Sequence, residues 1–281
     1  MRRRQLLQAI CLASAGVGSS STVFARVRKE VIQSTQPTKD EDLKDYLNKI
    51  RNFDQHHDDD VIIEASLYPT FESTLAKLKR LEKLVGHGNY NILSFPDAIR
   101  YAKNYSKVGE FNNAELSFME SVFYEDGKHY GFLGHKPLKE ITDRVKKRDI
   151  IKVPYSGNYL YKDISLEVYE AIKKELGDKV VLTSGIRSVM KQFLLFLNKA
   201  SKYEGNLSLA SRSLAPPGYS FHGNGDFDVG QVGYGVHNFS ERFTETEVYQ
   251  RLAEMGYLQL RYPEDNRLGV RYEPWHIKIR V

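Results

Sequence analysis

Residues 220–230 read SFHGNGDFDVG, and residues 273–281 read EPWHIKIRV. In the second stretch, polar and apolar residues alternate from His276 onward. Such a period of two marks a strand with one buried face. Ile277, Ile279 and Val281 are expected on the core side, with His276, Lys278 and Arg280 on the polar face. Pro274 breaks strand regularity just before, so Glu273 is free to aim its carboxylate at the same point as His276. In the first stretch, Gly223, Gly225 and Gly230 permit tight turns around His222, Asp226 and Asp228. Either the stretch is a hairpin loop using Asn-Gly and Asp for turn chemistry, or it meets the closing strand at a metal ion.

Working outward, SLEVYEAIKKELG (165–177) has the apolar spacing of an amphipathic helix stopped by Gly177. KVVLTSG (179–185) reads as a strand entering a turn, and SVMKQFLLFLNKA (188–200) as a strongly apolar helix. A Pro-, Gly- and Ser-rich loop covers 211–220, short strands follow, and TETEVYQRLAEMGY (244–257) is helical again. Helices interspersed with short strands predict an α+β domain over 151–281. Residues 26–150 read as a mainly helical region of unassigned role. Within it Leu75, Leu78, Leu81 and Leu84 share one helical face, and Asn112 precedes Glu115 as a capping pair does. FDQHHDDD (53–60) is expected to be a solvated linker or helix end, because consecutive side chains point in different directions. The boundary is placed near residue 150, and no internal repeat is visible.

The chain has 281 residues, 41% of them hydrophobic and 12% aromatic, as in a globular protein. Of its formal charge of +5, three units are Arg2, Arg3 and Arg4. The remainder is close to balance and gives no case for nucleic-acid binding. Residues 1–25 combine that basic head with an apolar middle and small residues before Ala25, the layout of a secretory signal. The apolar run is too short for a permanent membrane span. Arg3-Arg4 before Gln5-Leu6-Leu7 fits a twin-arginine signal as well as an ordinary secretory one. Both lead to the periplasm or cell envelope. Cys11, the single cysteine, lies inside this signal, so any metal in the remaining chain must be held by His and carboxylates.

A catalytic zinc site takes three protein ligands and leaves a fourth position open, and imidazoles with one carboxylate suit it. His222, one of the two aspartates and His276 make up such a set. Glu273 is then left as a general base. Arg187, in TSGIRS after a strand and a glycine turn, sits where side chains line clefts; it can hold a carboxylate or an oxyanion.

Taken in order, Ser184-Gly185-Ile186-Arg187-Ser188 with Gln192, then Ser220-Phe221-His222-Gly223-Asn224-Gly225, then Glu273-Pro274-Trp275-His276, resemble the VanY-type D-alanyl-D-alanine carboxypeptidases. These are LAS-type zinc peptidases, related to the VanX dipeptidases. The resemblance covers roughly residues 150–281. It departs from the family pattern at Ile186, which replaces a tyrosine, and by one residue missing between Gly225 and Asp228. Restoring that residue aligns Asp228 with the family's aspartate. The resemblance implies an LAS/hedgehog-like fold, a small antiparallel sheet with flanking helices. It further implies one zinc ion on His222, Asp228 and His276, with Glu273 as base and Arg187 at the substrate. Ser188, Gln192 and Ser220 would be further pocket residues, and the substrate peptidoglycan stem peptides. An endopeptidase of the same family and a catalytically silent peptidoglycan-binding module are the alternatives.

Overall fold

The computed structural model describes residues 39–279, with side chains from Lys44 onward. The signal read at residues 1–25, and Arg280 and Val281 of the closing strand, lie outside the described residues. The chain divides after Lys44 into a leading segment and a compact body, Asp45–Val281. No helix among the described residues is long and apolar enough to cross a membrane.

Helices dominate the first part: α1 (Lys39–Arg51), α2 (Tyr68–Val85), α3 (Phe95–Asn104) and α4 (Asn113–Tyr124). Their ends follow from local chemistry. Ser94 caps α3 by accepting from the Asp97 amide, and Asn112 and Glu115 form a reciprocal capping box on α4. On α2, Phe71, Leu75, Leu78 and Leu81 are buried, whereas Leu84, expected on the same face, is 36% exposed in the last turn.

The second part contains β1 (Ile150–Lys152), β2 (Tyr159–Tyr161), α5 (Ile164–Leu176), β3 (Val180–Ser184), α6 (Val189–Ser201), β4 (Phe227–Gln231), α7 (Glu247–Glu254) and β5 (His276–Ile277). β1 and β2 form an antiparallel pair. β3, β4 and β5 form an antiparallel sheet with β4 in the centre. The architecture is thus α+β, with small antiparallel sheets flanked by helices. The largest apolar core joins Leu78, Leu81 and Phe118 of the first part to Phe193, Phe196 and Leu197 of α6. A second core lies under the three-stranded sheet, where Leu182, Phe227, Val229 and Ile277 meet Ile172 and Leu252.

The sheet register positions the site. Leu182 pairs with Val229, both in the second core, but the next partners are Ser184 and Asp228. Thr183 and Ser184 together oppose Asp228, which is a bulge; the extra residue turns Ser184 to the opposite face from Leu182. Asp228 in turn pairs with His276 of β5. Ser184, Asp228 and His276 therefore form a row across the sheet on the face away from the second core.

Two expectations need correction. The closing strand is two residues long, because the Lys278 amide turns to the Gln259 carbonyl and the Ile279 amide to Asp226. On its polar face His276 is 3% exposed. FDQHHDDD is not wholly solvated. The Asp60 carboxylate is buried and takes both Nη atoms of Arg212, at 2.7 and 2.9 Å, and Asn206 at 2.7 Å. A long-range partner 152 residues away decides this, and nothing local announces it.

Candidate active site

His222 lies in a short 3-10 turn, Phe221–Asn224, closed by Gly225 at φ 113°. Its Nδ1 is 2.8 Å from the Gly185 carbonyl and donates to it, which leaves Nε2 as an unprotonated lone pair. That backbone approach requires glycine. A Cβ at position 185 would stand 2.1 Å from the Tyr159 carbonyl oxygen, which the Ile186 amide already engages.

His276 is fixed from its other side. Its Nε2 is 3.0 Å from Asp226 Oδ2, leaving Nδ1 to face Asp228 Oδ1 at 3.3 Å and Glu273 Oε2 at 3.5 Å. Asp226 is itself fully engaged, with Arg261 at 2.9 and 3.2 Å and the Ile279 amide at 3.0 Å. Arg261 stacks over the Phe221 ring at 3.9 Å.

Asp228 Oδ2 accepts from Arg187 Nη2 at 2.6 Å, while Arg187 Nε donates to Ser184 Oγ at 2.9 Å. Asp228 Oδ1 and His222 Nε2 are buried and make no well-formed hydrogen bond, although they face each other at 3.3 Å and Oδ1 faces His276 Nδ1 at 3.3 Å. Ligand atoms of His222, Asp228 and His276 all lie within 4.8 Å of one another. Of the two aspartates, Asp228 offers a free inward oxygen and Asp226 does not.

The electrostatics of the two histidines differ. Burial lowers the His222 pKa, and the Arg187 charge adds to that. For His276 burial works the same way, but Asp226, Asp228 and Glu273 outweigh it and hold the imidazole well above its ordinary value. Burial also opposes ionisation of Asp226, yet His276 and Arg261 bring its carboxyl down to about 2. Asp228 is held well below the carboxylate range against its burial, by His222 and Arg187. Two ionised carboxylates with Glu273 alongside create a negative spot that a proton on His276 or a cation can neutralise.

A cavity of about 340 Å³ opens over this cluster, with Arg187, Asp228, Glu273 and Trp275 in its wall. Ser188, Gln192 and Ser220, expected as pocket residues, are not part of that wall. Ser188 caps α6 and bonds the Tyr90 carbonyl, and the Gln192 amide nitrogen donates to the Ala215 carbonyl. Ser220 is buried at the entry of the His222 turn. Sequence reading missed Asn91 and Thr183, which reach the wall and carry buried, unpartnered side-chain oxygens. It also missed Asp226 and Arg261 as supports of His276. Asn91 caps the C-terminus of a one-turn helix, His87–Tyr90, between α2 and α3, in a stretch without any motif, so no sequence signal points to it.

Residues 160–280 match the family model VanY, D-alanyl-D-alanine carboxypeptidase. Among solved structures, the LdcB LD-carboxypeptidase is 25% identical over 48% of this chain and 69% of its own, with a TM-score of 0.39. VanYB in complex with D-alanine-D-alanine is 22% identical over 54% of this chain and 86% of its own, with a TM-score of 0.41. The D,D-dipeptidase VanXYg with a D-Ala-D-Ala phosphinate analogue is 20% identical over 53% and 60%, at a TM-score of 0.43. A search of curated proteins gives no match.

Proposed function

We propose that the VanY-type domain at residues 160–280 makes this chain a zinc-dependent peptidase of peptidoglycan stem peptides, a D-alanyl-D-alanine carboxypeptidase. One observation carries the reading. His222 Nε2 and Asp228 Oδ1 are buried without a well-formed hydrogen bond and converge with His276 within 4.8 Å. Buried polar atoms left unsatisfied are costly, and a tetrahedral cation with N and O ligands satisfies them together. His222 Nε2, Asp228 Oδ1 and His276 Nδ1 would hold the zinc. When bound, zinc supplies Lewis acidity toward a water and the scissile carbonyl.

The chain's own residues do the rest. Glu273, at the cavity wall beside His276, takes the proton of the attacking water and passes it to the leaving amine. Arg187 is anchored through Nε and Nη2 and offers its remaining N–H groups to the oxyanion that develops at the carbonyl. The unpartnered oxygens of Asn91 and Thr183 suit the amide N–H groups of an extended peptide. Gly185 and Asp226 set the tautomers of the two histidines, as outer-shell partners of metal ligands do. The export signal read at residues 1–25 agrees with a substrate outside the cytoplasm.

The test is mass spectrometry of a pentapeptide stem ending in D-Ala-D-Ala, incubated with the purified chain plus zinc, plus chelator, and as Glu273→Gln. Loss of a single D-Ala that needs both zinc and Glu273 is expected. An internal cut with the same dependence would make the enzyme an endopeptidase. Tight zinc binding without any cleavage would leave a binding module.

A further inference from the structure

The cations around the cavity are not equivalent. Arg187 is paired with Asp228 and Lys191 with Glu82, at 2.6 and 2.8 Å. Lys199 and Arg271 line the same cavity, and neither forms an ion pair among the described residues. Arg271 is nonetheless held firmly. Its guanidinium lies between the Phe53 and Trp275 rings, 4.7 and 4.9 Å from their centroids, and Nη2 donates to the Phe239 carbonyl at 3.0 Å. Its Nε is buried without an acceptor. Lys199 is half-buried, with Nζ 5.0 Å from the Tyr203 ring. Burial lowers its pKa, Arg271 and Lys202 lower it further, and the charge of Asp54 opposes them less strongly.

Two neighbouring cations, partly desolvated and lining one cavity, repel each other until an anion comes between them. A guanidinium clamped by stacking is a preorganised carboxylate receptor. Trp275, which it stacks on, stands between Glu273 and His276 in sequence, so the ring that holds Arg271 adjoins the reacting groups. We infer that Arg271 and Lys199 form a carboxylate subsite that anchors the substrate peptide by a negatively charged group away from the scissile bond. This rests on the peptidase reading above and deepens it. The carboxylate is either the peptide's C-terminal group or one carried by an internal acidic residue.

Four versions of one stem pentapeptide distinguish these sources: C-terminus free or amidated, each with the internal D-glutamate α-carboxylate free or amidated. Each is assayed for kcat/KM with the wild-type chain and with Lys199→Met, Arg271→Met and the charge-retaining Lys199→Arg. Both methionine variants should lose about 10- to 100-fold on peptides bearing the recognised carboxylate. They should lose little on its amide counterpart, and Lys199→Arg should recover most of the loss. Dependence on the C-terminal group makes the subsite the determinant of carboxypeptidase action; dependence on the internal group makes it a reader of stem acidity. Equal losses on all four peptides, or none, overturn the inference. If the wild type cleaves no peptide, the peptidase reading fails by itself. Calorimetric binding of the four peptides to Glu273→Gln, with and without the methionine substitutions, then applies the same criterion to the subsite.

Discussion

His222 and His276 each spend one ring nitrogen on a fixed partner, a carbonyl at 2.8 Å and a carboxylate at 3.0 Å. Each turns the other nitrogen toward Asp228. The division of labour between the two aspartates follows: Asp228 faces the histidines' free nitrogens, and Asp226 braces His276 against Arg261. Asp226→Asn keeps the shape but removes the charge that steadies the imidazole. Zinc affinity should fall about 10- to 100-fold, read by competition with a chromophoric chelator. Asp228→Asn should weaken binding more, since it alters a ligand and leaves Arg187 without its counter-charge. The residue types of this site were legible in sequence. Residue types alone left both aspartates open and the family resemblance pointed to Asp228; the structural reason, Arg261 holding Asp226 from 35 residues away, was not legible.

Among the elements, the bulge between β3 and β4 and the turn at Gly185 decide where the polar face begins. Without the extra residue at Thr183, Ser184 would share the apolar face of Leu182. Gly185→Ala must displace the Tyr159 carbonyl, 2.1 Å from the new Cβ. A loss of about 1–3 kcal/mol is expected, measurable by urea unfolding, together with weaker zinc binding because the Gly185 carbonyl orients His222. The helices α5 and α6 and the strand β3 were readable from periodicity and stop signals. The two-residue length of β5 was not, since the amides of Lys278 and Ile279 are claimed by Gln259 and Asp226 from elsewhere in the chain.

For the whole molecule, the buried Asp60–Arg212 pair ties the segment after α1 to the loop beyond α6. Asp60→Ala would leave a buried guanidinium uncompensated, at a cost of about 3–5 kcal/mol, visible as a lowered unfolding midpoint. Burial raises the Asp60 pKa, but Arg212, Asn206 and the His57 amide outweigh it and hold the carboxyl below the ordinary aspartate range. A depressed carboxylate pKa contributes stability that is complete above the unfolded value and is lost as pH falls through the folded one. Acid unfolding of the wild type should therefore steepen below about pH 4, and Asp60→Asn should flatten that slope. By itself the sequence determined the α+β class, the principal helices and the His, Asp and Glu residues of the candidate site, because periodicity, caps and glycine turns are local. Only the tertiary structure showed what holds Asp226 away from the inward position, and it alone decided the burial of Asp60, the cavity wall from Asn91 and the unpaired Lys199 and Arg271. Each of these depends on residues distant in sequence, and burial and ion pairing are properties of the packed chain.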